Sequence, residues 1–159
     1  SGPHSNGYSL IRRIVRDSGA DLDGAFEGST LGRTLMTPTA IYVKPLLGLR
    51  KQVAVKGMAH ITGGGITGNL PRILADGLTA RLEAGSWQRP AIFDWLQEAG
   101  RVADDEMHRV FNCGIGMCLV VGAAEADTAI DALRLAGLGA WAIGRIDRAA
   151  AGEAQTVIG

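Results

Sequence analysis

Charge of one sign is what this sequence lacks most plainly: 16 Lys+Arg stand against 16 Asp+Glu, a formal net charge of zero at pH 7. Such a chain raises no strong field for polyanions, which argues against a nucleic-acid-binding module. Cysteine is scarce too. Cys113 and Cys118 stand alone in an apolar stretch, far from the density of a disulfide scaffold, and a reducing, cytoplasmic setting is the expectation. No apolar run approaches the roughly 18 residues that cross a bilayer, and SGPHSNGYSL lacks the basic, apolar and cleavage-site order of a signal peptide, so no membrane partner is expected. Metal-ligand spacing is also missing, because His4, His60, His108 and the cysteines form neither C-x-x-C nor H-x-x-x-H.

Glycine is in excess, with 23 of 159 residues, about twice the usual share. The glycines cluster, which marks special backbone loops. With 47% hydrophobic residues and no low-complexity tract, a single domain over residues 1–159 is the default.

Hydrophobic periodicity predicts a helix between Gly7 and Gly19, with Ser5 or Asn6 as caps, and a second from Thr37 to Lys51, kinked or split at Pro45. Strands are expected at Val53–Ile61, Leu78–Ala84, Gly116–Gly122, Ala140–Asp147 and Ala154–Ile158. Helices are expected at Asn69–Leu74, Pro90–Ala99, Asp104–Val110 and Ala124–Leu135. Without strict βαβ alternation, this mixture points to a mixed sheet covered by helices.

The sharpest local signal is HITGGGITGN over residues 60–69, between a predicted strand and a predicted helix. Gly63, Gly65 and Gly68 satisfy G-x-G-x-x-G, with Glu83 about twenty residues on, as a dinucleotide site would require. Pro71 and Asp76-Gly77 cut the following helix far too short for a crossover unit. Two readings remain, a cradle for phosphate or nucleotide and a loop that only turns tightly. Likewise, His4, Ser5 and Asn6 either face a polar ligand or belong to an ordinary capped terminus. The loop 111–117 precedes a strand, the wrong polarity for a Rossmann turn, and is read as a pocket lining. Cys113, Cys118 and the tryptophans read as core, and Asp104, Asp105 and Glu106 as complements to a helix dipole.

Taken together, SGPHSNGYSLIRR (1–13), TPTAIYVK (37–44), MAHITGGGITGNLPRIL (58–74), SWQRPAIFDWLQEAG (86–100) and FNCGIGM (111–117) resemble one enzyme family in order and spacing. That family is phosphoribosylformylglycinamidine cyclo-ligase, or aminoimidazole ribonucleotide synthetase, and the resemblance covers essentially the whole chain. It implies an α+β domain in three α/β/α layers with a mixed sheet. The family chain is about twice as long, and the present sequence looks like its C-terminal half. The resemblance implies that an N-terminal domain supplies an aspartate-rich ATP and Mg2+ region and most of a homodimer contact, with the active site between the domains. This half alone is then expected to be inactive.

The implied reaction is ATP-dependent ring closure of formylglycinamidine ribonucleotide to 5-aminoimidazole ribonucleotide, ADP and phosphate, in purine biosynthesis. Carried onto this sequence, the resemblance gives Ser5, Asn6, Thr62, Gly63, Gly64, Gly65, Asn69 and Arg72 to substrate or phosphate binding. His4 or His60 would move a proton, and no metal ligand falls in this half. Where some members carry a bulky aromatic and an acid, this chain has Ile66, Thr67 and Gly68, which speaks against a side-chain role for those three. Against this reading stand a docking module that binds no ligand alone, a domain of a related ATP-dependent enzyme of the same superfamily and an unrelated nicotinamide-binding oxidoreductase.

Overall fold

The computed structural model describes residues 1–4 and 6–159. The chain folds as α+β in two compact units, each built from several stretches of sequence. The first takes Ser1–Ala40, His60–Asn69 and Gln88–Gly116; the second takes Ile41–Ala59, Leu70–Trp87 and Met117–Gly159.

In the first unit, helix α1 (Tyr8–Ser18) buries Ile11 and Ile14 and stops at Gly19, whose left-handed φ of 65° lets its N–H reach back to the Arg16 and Val15 carbonyls. A two-residue hairpin follows, β1 (Ala25–Phe26) against β2 (Ser29–Thr30), with Glu27 and Gly28 both at positive φ (47° and 75°) in its turn. Thr30 then caps α2 (Leu31–Leu35) by accepting from the Arg33 N–H, and Leu31 and Leu35 join the core. Further along the chain come α4 (Gly65–Asn69), α5 (Ala91–Gly100) and α6 (Asp104–Val110), whose acidic first turn faces the helix dipole as expected. Phe93 and Phe111 meet at the centre with ring centroids 6.0 Å apart, both fully buried. Burial of each is worth about 2–3 kcal/mol.

In the second unit, α3 (Val43–Leu49) packs on α7 (Ala126–Leu135) through Leu49, Val53 and Ala129. Strand β3 (Gly57–His60) pairs with β5 (Met117–Val120). Strand β4 (Leu78–Leu82) is the centre of a mixed sheet, antiparallel to β6 (Gly144–Arg148) and parallel to β7 (Thr156–Ile158). Arg81 ties that sheet laterally, with ion pairs to Asp147 at 3.2 Å and Glu153 at 2.8 Å.

Several expectations change, among them the core placement of Trp141, which is exposed. The helix expected over 37–51 is only α3, which starts at Val43, so Pro45 lies in its first turn where no intrahelical N–H is needed and no kink arises. The helix expected at 69–74 ends as α4 at Asn69 and continues as a 3₁₀ turn, Leu70–Ile73, around Pro71. Asn6 does not cap α1; Gly7 does so without a side-chain bond, and the Ser5 alternative lies outside the described residues.

Candidate functional site

The first unit brings together three segments distant in sequence: 1–7, 60–69 and 111–116. Asn6, 2% exposed, donates from Nδ2 to the Ile61 carbonyl at 3.1 Å, tying the first segment to the second. The His4 ring stacks on that of His60, with centroids 6.1 Å apart and planes 27° apart. His4 is buried and His60 exposed, so the pair runs from the interior to the surface. Burial, and after it the neighbouring His60, hold the His4 pKa below the ordinary histidine value.

The glycine loop owes its shape to Asn69. Its Nδ2 donates to Gly65 O at 2.7 Å and reaches Thr62 O at 3.2 Å and Gly63 O at 3.3 Å. Carbonyls gathered on one amide have a geometric consequence, because a trans peptide sets C=O and the next N–H in opposite directions. The N–H groups of Gly63, Gly64 and Ile66 therefore point away from Asn69. Gly64 and Gly65 make the turn possible with φ of 99° and 58°. Gly65 also admits no side chain, since a Cβ there would lie 2.0 Å from His108 O. Gly63 is exposed, and nothing stands within 4 Å of where its Cβ would be.

The third segment contributes Asn112, which is 1% exposed and which sequence reasoning did not assign to the site. Its Nδ2 donates to Gly2 O at 2.8 Å and lies 2.9 Å from His4 Nε2, while its Oδ1 accepts from the Gly114 N–H at 2.8 Å. That last bond is an Asx-type turn, and the N-x-G spacing of 112–114 was the available signal. Two non-glycine residues here hold left-handed backbones, His4 at φ 35° and Cys113 at φ 48°. Such conformations cost about 1–3 kcal/mol each and concentrate at functional sites. His4 also lines a cleft of about 650 Å³ with Tyr8, Arg12, Thr37 and Thr39 among its other walls.

The structure thus assembles His4, Asn6, His60, Thr62, Gly63, Gly64, Gly65 and Asn69 in one unit. Arg72 belongs to the other unit, in the 3₁₀ turn, and Ser5 lies outside the described residues. Cys113 and Cys118 are buried thiols whose pKa burial pushes up to about 12, so neither is an activated nucleophile. The loop 60–69 opens no long crossover helix, because α4 is five residues long, so the dinucleotide-binding unit is not formed.

An α+β domain with an Asn-braced glycine loop and a buried histidine at its side is the class of protein these features define. Residues 1–156 match the family model of the AIR synthase related protein C-terminal domain, and the chain belongs to that family. It is 60% identical over 158 residues to the phosphoribosylformylglycinamidine cyclo-ligase of Paraburkholderia xenovorans (strain LB400), covering 99% of this chain and 44% of that protein. It is 57% identical to the enzyme of the same name from Burkholderia vietnamiensis (strain G4 / LMG 22486), again over 99% of this chain and 45% of the relative. The chain therefore spans less than half the length of these curated relatives. No helix among the described residues is long and apolar enough to cross a membrane.

Proposed function

We propose that this chain is the substrate-side domain of a phosphoribosylformylglycinamidine cyclo-ligase, acting in ATP-dependent closure of formylglycinamidine ribonucleotide to 5-aminoimidazole ribonucleotide. The observation that carries this reading is the convergence in one unit of the segments around His4, Gly63 and Asn112, within a chain 60% identical to an enzyme of that name.

In this reading the backbone N–H groups of Gly63 and Gly64, on the exposed part of the loop, hold the substrate phosphate, supplying oriented dipoles without side-chain bulk. Asn6, Thr62, Gly65 and Asn69 keep that loop in shape. His60, exposed beside the loop, moves the proton released on ring closure, a general acid–base task for which an imidazole is suited. A phosphate-binding role for Ser5 and Arg72 rests on family resemblance alone. Among the described residues no group of three His, Cys, Asp or Glu could hold a metal ion. In this reading ATP and Mg2+ are held mainly by an N-terminal domain of the full-length enzyme, which is this domain's partner, and the full-length enzyme is a homodimer.

Calorimetric titration with formylglycinamidine ribonucleotide, and separately with magnesium-ATP, tests the assignment. Wild-type chain should bind the ribonucleotide, and Gly63→Val should lose at least about tenfold in affinity, or ~1.4 kcal/mol, while melting normally. Gly63 suits this test because its backbone is unstrained and its surroundings are open. A folded wild-type chain that binds neither ligand would instead mark it as a docking module.

A further inference from the structure

The orientation of the Asn112 carboxamide is fixed twice without reference to any histidine. Oδ1 accepts from the Gly114 N–H, and Nδ2 donates to Gly2 O, both at 2.8 Å. Reversing the amide would set oxygen against oxygen and N–H against N–H. One Nδ2 hydrogen remains, and the group in its reach is His4 Nε2 at 2.9 Å. A hydrogen-bonded nitrogen facing a donor must be the unprotonated one. The single proton of neutral His4 then sits on Nδ1, which is buried and has no hydrogen-bond partner among the described residues.

We propose that Asn112 is a positioning residue that locks His4 in the Nδ1–H tautomer, offering Nδ1 as a hydrogen-bond donor and closing Nε2 as a proton acceptor. This rests on the functional reading above and divides the labour of its two histidines. Protonating Nε2 would bring two N–H donors together at 2.9 Å around a side chain only 5% exposed. His4 therefore stays neutral and donates, with the unsatisfied Nδ1–H best matched by a carbonyl or phosphoryl oxygen. Proton transfer falls to His60.

Long-range ¹H–¹⁵N correlation spectra of the histidine rings, recorded on the ligand-free chain at pH 8, test this directly. Wild-type His4 should show a pyrrole-type Nδ1 and a pyridine-type Nε2, the minor tautomer of a free histidine side chain. Asn112→Asp puts an acceptor where the donor was, so the two nitrogens should exchange character. A wild-type His4 protonated at Nε2 overturns the proposal, whatever the variant does. So does a folded Asn112→Asp that melts lower yet leaves the tautomer unchanged, as a purely structural asparagine would. Because no ligand is needed, failure of the chain to bind the ribonucleotide would sink the functional reading without touching this result.

Discussion

Gly65 is the residue on which the glycine loop has least freedom. Its φ of 58° is left-handed, and a Cβ would meet His108 O at 2.0 Å and Phe111 O at 2.9 Å, both backbone atoms. Neither can yield as the tip of a flexible side chain would. Gly65→Ala should therefore destabilise the chain by about 2–4 kcal/mol in urea denaturation, whereas Gly63→Ala should stay within about 1 kcal/mol of wild type. Equal stability of the two variants would mean that the loop's shape does not depend on the packing of 65 against α6. The contrast separates a glycine that backbone packing requires from one whose surroundings are open. Both glycines stand in the same sequence motif, and the motif alone does not tell them apart.

At the level of elements, the sequence is legible where a 3.6-residue pattern runs for two turns or more. Helices α1, α5 and α7 lie within about two residues of their expected bounds, since each presents an apolar stripe to its core, and α6 matches through its acidic first turn. The hairpin at 25–30 was invisible, because two-residue strands carry no alternation and its turn sets Glu27 rather than a second glycine at positive φ. For the site, His4, Asn6, His60 and the glycine loop were readable from composition and family resemblance. Asn112 was not, since its role depends on contacts with residues 108 and 110 positions away. Pro45 shows how a sequence rule misleads when an element boundary is wrong. In a helix running from Pro38 it would be an interior break; in α3 it stands third, where its missing N–H costs nothing. Pro45→Ala should accordingly change stability by less than about 1 kcal/mol, against the ~3 kcal/mol gain expected on repairing an interior break. Chemical denaturation of the variant distinguishes the two, and a gain near the larger figure would place the helix start upstream of Val43.

For the whole molecule, the buried titratable groups fix where in pH the fold is most stable. His4 is held below the ordinary histidine value by burial and then by His60; His108 is held below it by burial, with Asp104 pulling the other way and Arg89 adding to the drop. The unfolded chain therefore takes up these protons first, so their contribution is complete above about pH 6.5 and is lost as pH falls below it. Cys113 and Cys118, pushed up to about 12 by burial, behave oppositely. Their thiols ionise near pH 8.5 only when unfolded, so stability is complete below that value and declines as pH rises toward 12. Tyr8, held above its usual range by burial, adds to the same limb. The contribution of these five groups to stability is a plateau between roughly pH 6.5 and 8.5, falling on both sides by at most about 1.4 kcal/mol per pH unit for each group, and melting temperature should fall with it. Differential scanning calorimetry from pH 4.5 to 11 measures it. A thiol-reactive disulfide at pH 8 should also modify neither cysteine until the chain unfolds. Thiols titrating at once in the folded chain, or an alkaline limb absent above pH 9, would show that the cores around residues 113 and 118 admit water.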